Sequence, residues 1–350
     1  MITKILDDNG ISFLPEESDD LLTIRRLIKR GDTIIGETTR VIKQEKEYSR
    51  PDKGERVRIR IAIEVEKISL DDVLDRVRVG GKITESNNES VPHGSHHSFL
   101  IKIDQPFNLV KKKWTPLEKK LAKANDSKMT FVLVAIDTTD CGIGRLKGTH
   151  LHLLPNIYSG YSGKRYKTNF KIENYFEDIT KALSSIVKNN DSIIIFGPGE
   201  TRKKFGNFLE KSTLGKKCTK KIIEGIDSGG EDGIHLFTKS NSMQEIMSDS
   251  KLAKVSKIID RVMMLAAKTS KKFSMGLEET KKANEFSAID ELVFSEKVIQ
   301  DNDEQEVINF LNDVEAKGGK LYSVDGSTDT GLRVSGLGGI VSLLRFSIEG

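Results

Sequence analysis

Four unbroken apolar residues, Ile193 to Phe196, run into Gly197-Pro198-Gly199, and beyond them apolar positions recur at Phe205, Phe208 and Leu209. A run without alternation is the pattern of a strand covered on both faces, and the i, i+3, i+4 spacing after it is one face of a helix. Residues 192–209 therefore predict a buried strand, a glycine turn and a helix whose first turns carry Arg202, Lys203 and Lys204. Such a unit needs layers on both sides, and the chain around it supplies them.

Upstream, residues 1–123 read as β-rich. A helix is predicted over 18–28, with Leu21, Leu22, Ile24, Leu27 and Ile28 on its apolar side. Strands follow at 33–42, 57–68, 77–83 and 99–103. The second of these alternates Val57, Ile59, Ile61, Ile63 and Val65 with charged positions, as a half-buried strand does. Several short strands with charged outer faces suggest a small, strongly bent sheet or barrel. A short helix at 117–124 leads to a polar linker at 125–128. The second region opens on the apolar strand 130–136, then a turn at 137–148 carrying Gly142, Gly144 and Gly148, a strand at 150–154, a cationic loop at 157–171 and an amphipathic helix at 175–187. The last region alternates helices (252–267, 276–288, 304–317) with short strands (292–294, 321–324, 340–348), the pattern of an α/β sandwich. The division expected is 1–125, 126–249 and 250–350.

Composition agrees with several soluble domains: 350 residues, 37% hydrophobic, 31% charged. No apolar run approaches the ~20 residues of a membrane span. The first ten residues lack the apolar core and cleavage site of a secretory leader. Cys141 and Cys218 have no metal spacing and suit a reducing compartment. A cytoplasmic protein is expected. The net charge of +4 is too small for bulk attraction to nucleic acid, so such binding must come from local clusters. The last hundred residues are net acidic, which suits a protein partner.

Four places carry candidate chemistry. The Gly197–Gly199 turn with its cations could hold an anion at a helix start. The glycines and Ser/Thr of a phosphate loop are missing, as is the third glycine of a dinucleotide fingerprint, so a packing turn with a basic outer face is expected instead. Residues 43–60, KQEKEYSRPDKGERVRIR, hold seven cations (Lys43, Lys46, Arg50, Lys53, Arg56, Arg58, Arg60) against four acids, with Tyr48 among them. The last three arginines share one strand face by its two-residue period. That is either an RNA surface, guanidinium groups taking phosphates while the ring stacks on a base, or a solvated hairpin. His93, His96 and His97 lack the spacing of zinc ligands and read as a turn into a strand touching structure or RNA. Asp137 and Asp140, at a strand end, could hold Mg²⁺ for nucleic-acid hydrolysis if further carboxylates arrived, but turn formation is the simpler role.

Taken in order, LIKRGDTIIGETTRVI, RVRIRIAIEVEKISLD, GSHHSFLIKIDQPFNLVKKKW, FGPGETRKKF and MGLEETKKAN…IDELVFSE resemble the archaeal Pelota family of release-factor-like ribosome rescue proteins over the whole chain. The resemblance implies an Sm-like N-terminal β-barrel, an RNase H-like α/β middle domain and an L7Ae-like α/β C-terminal domain. It implies entry into the A site of stalled ribosomes in no-go and non-stop mRNA surveillance, delivery by a GTPase of the elongation factor 1-alpha type, and subunit splitting with an ABC-family recycling ATPase. On that reading the protein is a monomer, needs no cofactor, and has no catalytic residue of its own. The alternative is a divalent-metal-dependent RNA endonuclease built on Asp137 and Asp140.

One absence separates the chain from the peptide-releasing class I factors, which carry Gly-Gly-Gln. The Gly-Gly pairs at Gly80, Gly229, Gly318 and Gly338 are followed by Lys, Glu, Lys and Ile. The corresponding loop, 158–171, instead carries Ser162-Gly163-Lys164-Arg165, with Lys164 and Arg165 expected to meet RNA. The chain departs from the family at Glu200, usually an aromatic residue, and at Ser98, usually Thr. The cationic turn Gly197, Pro198, Gly199, Arg202, Lys203 and Lys204 is the expected docking surface for the GTPase, through charge complementarity.

Overall fold

A computed structural model describes residues 1–42, 55–71, 76–123, 130–160, 171–188, 191–248, 250–268, 270–326 and 328–348. The chain divides into two compact units, Met1–Asp126 with Ile299–Lys317, and Ser127–Val298 with Gly318–Gly350.

The first unit contains β1 (Ile2–Ile5), β2 (Gly10–Leu14), α1 (Ser18–Leu27), β3 (Thr33–Ile42), β4 (Glu55–Leu70), β5 (Arg76–Ser86), β6 (His96–Lys102), β7 (Phe107–Val110) and α2 (Pro116–Lys123). The strands form one antiparallel sheet in the order β1-β2-β7-β3-β4-β5-β6, the Sm-like half-barrel. Alternation decides what lies inside: Ile59, Ile61, Ile63 and Val65 of β4 join Val77 and Val79 of β5, Leu21, Ile24 and Leu27 of α1 and Trp114 in one core. Register shifts after Ala62 and Val65 bend β4 where it pairs with β5. α2 starts on a capping box. Thr115 Oγ1 accepts from the Glu118 amide (3.2 Å), and Glu118 Oε2 accepts from the Thr115 amide (2.8 Å).

In the second unit, β8 (Thr130–Ile136), β9 (Asp140–Lys147), β10 (His150–Leu153), β11 (Ile157–Tyr158), α3 (Ile172–Ile186), β12 (Ser192–Phe196), α4 (Thr201–Lys211), β13 (Thr219–Ile222), α5 (Gly230–Lys239) and α6 (Asn241–Ile246) build the RNase H-like part. The sheet order is β10-β9-β8-β12-β13, with β11 pairing on β9. β9 is antiparallel to β8, whereas β12 runs parallel to both β8 and β13. The sequence expectation of a glycine turn over 137–148 is corrected here, because 137–139 turn, 140–147 are strand β9, and Gly148 turns again ahead of β10. Gly142 is there for close approach. A Cβ on it would stand 2.3 Å from the Gly230 carbonyl carbon at the start of α5.

The remaining elements are α7 (Lys251–Ala267), β14 (Phe273–Met275), α8 (Leu277–Glu285), β15 (Ile289–Ser295), α9 (Lys297–Gln300), α10 (Glu304–Ala316), β16 (Lys320–Val324), α11 (Asp329–Gly336) and β17 (Ile340–Leu344). Their sheet, β14-β17-β15-β16, pairs β15 parallel with β16 and antiparallel with β17, the L7Ae-like part. The boundary expected at 249/250 falls just ahead of α7, a helix that serves two hydrophobic cores. Leu252 and Ala253 pack with Phe131, Phe196 and Phe237, while Val255, Ile258, Ile259 and Val262 pack with Val293 and Val341. Thr149 Oγ1 donates to the Ser323 carbonyl (3.0 Å), and the Lys239 ammonium pairs with Asp329 (2.8 Å) across the same junction.

Candidate nucleic-acid interface

Arg56, Arg58 and Arg60 stand exposed on one face of β4, with Ile59 buried between them. The register places Val41, Thr39 and Glu37 of β3 opposite them in that order. Arg58 pairs with Glu37, both side chains mostly in water, so the pair adds little stability and its arginine stays available to another anion. The backbone under Arg60 is fixed twice. Its amide donates to Asn87 Oδ1 (2.9 Å), and its carbonyl accepts from the Asn87 amide (3.1 Å). Three guanidinium groups are thus presented from paired strand, which is what backbone recognition of RNA needs. Lys43, Lys46, Tyr48, Arg50 and Lys53 lie outside the described residues, as do Lys164 and Arg165.

The three histidines go to three different neighbours. His93 Nδ1 lies 2.8 Å from the Thr84 carbonyl, His96 Nε2 is 3.1 Å from Glu66 Oε2, and His97 Nε2 is 3.1 Å from Thr38 Oγ1. His97 also sets its ring edge-on to Phe99. Burial and then the Arg40 charge hold its pKa below the usual histidine value.

Asp137 Oδ1 accepts from the Thr139 amide (2.6 Å), the Thr139 hydroxyl (2.7 Å) and the Asp140 amide (2.9 Å), closing the turn between β8 and β9. Asp140 accepts from Asn156 Nδ2 (3.2 Å), and burial together with the Asp137 charge raises its pKa. Among the described residues no third His, Cys, Asp or Glu joins these two at ligand distance. Ser159, which follows β11, donates from its amide to the Thr139 carbonyl (2.8 Å) and from its hydroxyl to the Thr138 carbonyl (2.7 Å). The aspartate turn therefore anchors the chain at Ser159, just past β11.

The Gly197–Gly199 turn is held from within. Gly197 has φ +134°, and a Cβ there would lie 2.1 Å from the Ile136 carbonyl oxygen. Arg202 donates to the carbonyls of Gly197 (3.0 Å) and Gly199 and to Glu224 Oε1 (2.9 Å). Arg202 is only 9% exposed. Its expected place on an outer cationic surface is therefore corrected: the guanidinium is internal, tying its own turn together. Lys203 pairs with Glu200 and Glu224, each at 3.3 Å, and those carboxylates raise its pKa. Lys204 is exposed. Pro198 sits in the turn between the two glycines. The residue that sequence reasoning missed is Glu224, which follows β13 and reaches the turn only because β13 lies parallel beside β12.

The Pelota N-terminal domain family matches residues 3–125, and eRF1 domain 3 matches residues 252–348. The chain is similar to the protein pelota homolog of Nitrosopumilus maritimus, 65% identical with 100% of both chains covered. It is also similar to that of Cenarchaeum symbiosum, 49% identical with 99% of each covered. Among solved structures, the Thermoplasma acidophilum Pelota protein shares its fold at a TM-score of 0.67, with 22% identity over 99% of this chain and 100% of that one.

Proposed function

Because the chain belongs to the Pelota family, we propose that it is a ribosome rescue factor in no-go and non-stop mRNA surveillance. It enters the A site of stalled ribosomes and promotes subunit dissociation without releasing the peptide. The observation that carries this reading is family likeness along the entire chain combined with glycine pairs that never run into glutamine. A release factor without Gly-Gly-Gln binds where release factors bind but brings no water-positioning side chain to the ester.

On this reading the first unit meets RNA through Arg56, Arg58 and Arg60 and the basic stretch before them. The loop after Tyr158 follows the tRNA path, with Lys164 and Arg165 toward RNA. The GTPase of the elongation factor 1-alpha type docks beside Gly197–Gly199, where Lys204 is the cation left free of the turn's own pairing. The ABC-family ATPase acts on the complex afterwards. Nucleotide hydrolysis belongs to these partners, and the chain works in the cytoplasm as a monomer without a cofactor. No helix among the described residues is long and apolar enough to cross a membrane. Asp137 is committed to its turn by three hydrogen bonds, which weighs against the endonuclease reading.

The test is splitting of ribosomes stalled on truncated mRNA, with the GTPase and the ABC ATPase supplied. Dissociation should depend on this chain, and the peptidyl-tRNA should stay intact. Hydrolysed peptidyl-tRNA, or Mg²⁺-dependent RNA cutting abolished by Asp137→Asn, would overturn the reading.

A further inference from the structure

Arg25 and Arg26, consecutive on α1, are 2% and 8% exposed. A guanidinium keeps its charge at any accessible pH, so burying two of them demands partners on the spot. α10, which belongs to the same compact unit, brings them. Arg25 pairs with Glu304 and donates from Nη2 to Gln305 Oε1 (3.1 Å). Arg26 donates from Nε to Asn312 Oδ1 (2.9 Å) and from Nη2 to Glu315 Oε2 (2.6 Å). The α10 groups answer in kind: Asn312 Nδ2 donates to the Arg26 carbonyl (3.3 Å), and Glu304 Oε2 accepts from the Leu70 amide (3.0 Å). Lys29 and Arg30 join the paired arginines in lining a cleft of about 600 Å³, with Asp303 and Asn309 also in its lining.

The C-terminal end of α1 and the three residues past it thus gather four cations; α10 presents carboxylates and amide oxygens to Arg25 and Arg26, while Lys29 pairs with Glu118 Oε1 (2.9 Å) at the edge of the cluster. A carboxylate at a guanidinium fork offers the same pair of oxygens, at the same spacing, as a phosphate. Buried Arg–carboxylate pairs also gain little over the alternatives open to them, because desolvation offsets most of the attraction. Exchanging α10's acceptors for phosphate oxygens leaves the guanidinium groups partnered, at small net cost. We propose that Arg25, Arg26, Lys29 and Arg30 form an RNA phosphate-binding surface that α10 covers by carboxylate mimicry, RNA and α10 competing for the same guanidinium groups. This surface is separate from the arginine face of β4. The inference rests on the reading that the first unit contacts RNA.

The test measures binding of a short fluorescent RNA hairpin to the full chain. Glu304→Ala with Glu315→Ala removes the mimic, and should tighten binding on the order of tenfold at low salt, with a salt slope steeper by about two units. Adding Arg25→Gln and Arg26→Gln to that variant should return both quantities to the wild-type values. A charge-matched control, Glu245→Ala with Glu278→Ala, removes two acids exposed on other helices and should gain far less. The milder pair Glu304→Gln with Glu315→Gln keeps the fold if the alanine pair melts early, and should still tighten binding several-fold. The proposal falls if the control gains as much as the α10 variant, if the gain survives loss of Arg25 and Arg26, or if neither α10 variant gains at all. Rescue assays run on the same proteins separate this from the functional reading. Ribosome splitting with no RNA gain sinks only the mimicry, whereas an RNA gain with no splitting sinks only the rescue role.

Discussion

The Lys111 ammonium lies 2.6 Å from Asp32 Oδ2 inside the first unit, with Lys111 3% and Asp32 9% exposed. The pair joins the start of β3 to the residue that follows β7. Lys111 also stands 3.3 Å from Glu118 Oε1 and 5.5 Å from the centre of the Trp114 ring. Lys111→Met should strand the Asp32 charge and cost about 3–5 kcal/mol, whereas Asp32→Asn with Lys111→Met should cost distinctly less. Trp114 is the sole tryptophan and is buried in this core. Urea unfolding followed by its fluorescence therefore reports on this unit alone. Equal losses in the single and double variants would mean the pair has no special role.

The same cluster should make the first unit acid-sensitive. Burial by itself would raise the Glu118 pKa. The hydrogen bond from the Thr115 amide, the pairing with Lys29, the Lys111 charge and the Thr115 hydroxyl together outweigh it and bring the value to about 2, from 4.5. The folded value lies below the unfolded one, so this stabilisation is complete above about pH 4.5 and is lost as the pH falls through about 2. Its size is on the order of 3 kcal/mol. Glu118→Gln should flatten the pH dependence of the Trp114 unfolding midpoint between those two limits. An unchanged slope would assign the acid sensitivity to other carboxylates.

Glycines that look alike in the sequence should respond oppositely to alanine. At Gly142 a methyl group would meet the backbone of Gly230 at 2.3 Å, and α5 would have to lift from β9. Gly142→Ala should cost about 1–3 kcal/mol or more, as overpacking does. At Gly336, in the last turn of α11, nothing lies within 4 Å of the added carbon. Gly336→Ala should be neutral or stabilise by up to about 1 kcal/mol. Calorimetric melting of both variants checks the pair, and similar shifts would count against the packing argument.

Arg202 and Lys204 should separate stability from docking. Arg202→Ala removes the donor that holds the Gly197 and Gly199 carbonyls and leaves Glu224 without that partner, so it should lower the melting temperature by several degrees. Lys204→Glu should leave melting unchanged and slow association with the GTPase, more at low salt. If Lys204→Glu associates at the wild-type rate, the GTPase docks elsewhere.

What the sequence made legible follows from range. The helix Thr201–Lys211, the alternating β4 and the α10 helix were readable because one face of each is buried and burial imposes a local period, and the strand Ser192–Phe196 because burial of both faces leaves an unbroken apolar run. β9 was hidden because its glycines answer to α5, a neighbour some ninety residues away in sequence, and glycine in isolation reads as turn. The short strands β13 and β14 carry too few residues for any period to show. The cations of the candidate site were visible, yet their counter-ions Glu37, Glu224, Glu304 and Glu315 were not. Which carboxylate meets which arginine is settled by register and packing rather than by spacing. Sequence therefore overstated the cationic surface at Arg202 and passed over Arg25 and Arg26.

Glu37 now decides how the arginine face of β4 is tested. If Arg56, Arg58 and Arg60 meet ribosomal RNA, Arg58 must exchange its exposed partner Glu37 for a phosphate, and that exchange is easy because pairs this exposed stabilise by less than about 1 kcal/mol. Replacing all three arginines with glutamine leaves the buried face of β4 untouched, so the fold should survive. Ribosome binding should weaken, and its dependence on the logarithm of salt concentration should flatten by about two to three units. Glu37→Gln acts in the opposite direction. It removes a competitor that the RNA would otherwise displace, so binding should tighten by up to about fivefold at low salt and converge on wild type at high salt. The two variants bracket the surface from opposite sides, and neither alone suffices, since any charge change shifts non-specific affinity. A solvated hairpin gives a different outcome: both variants bind stalled ribosomes as wild type does at physiological salt, and RNA contact by the first unit must then be sought away from β4.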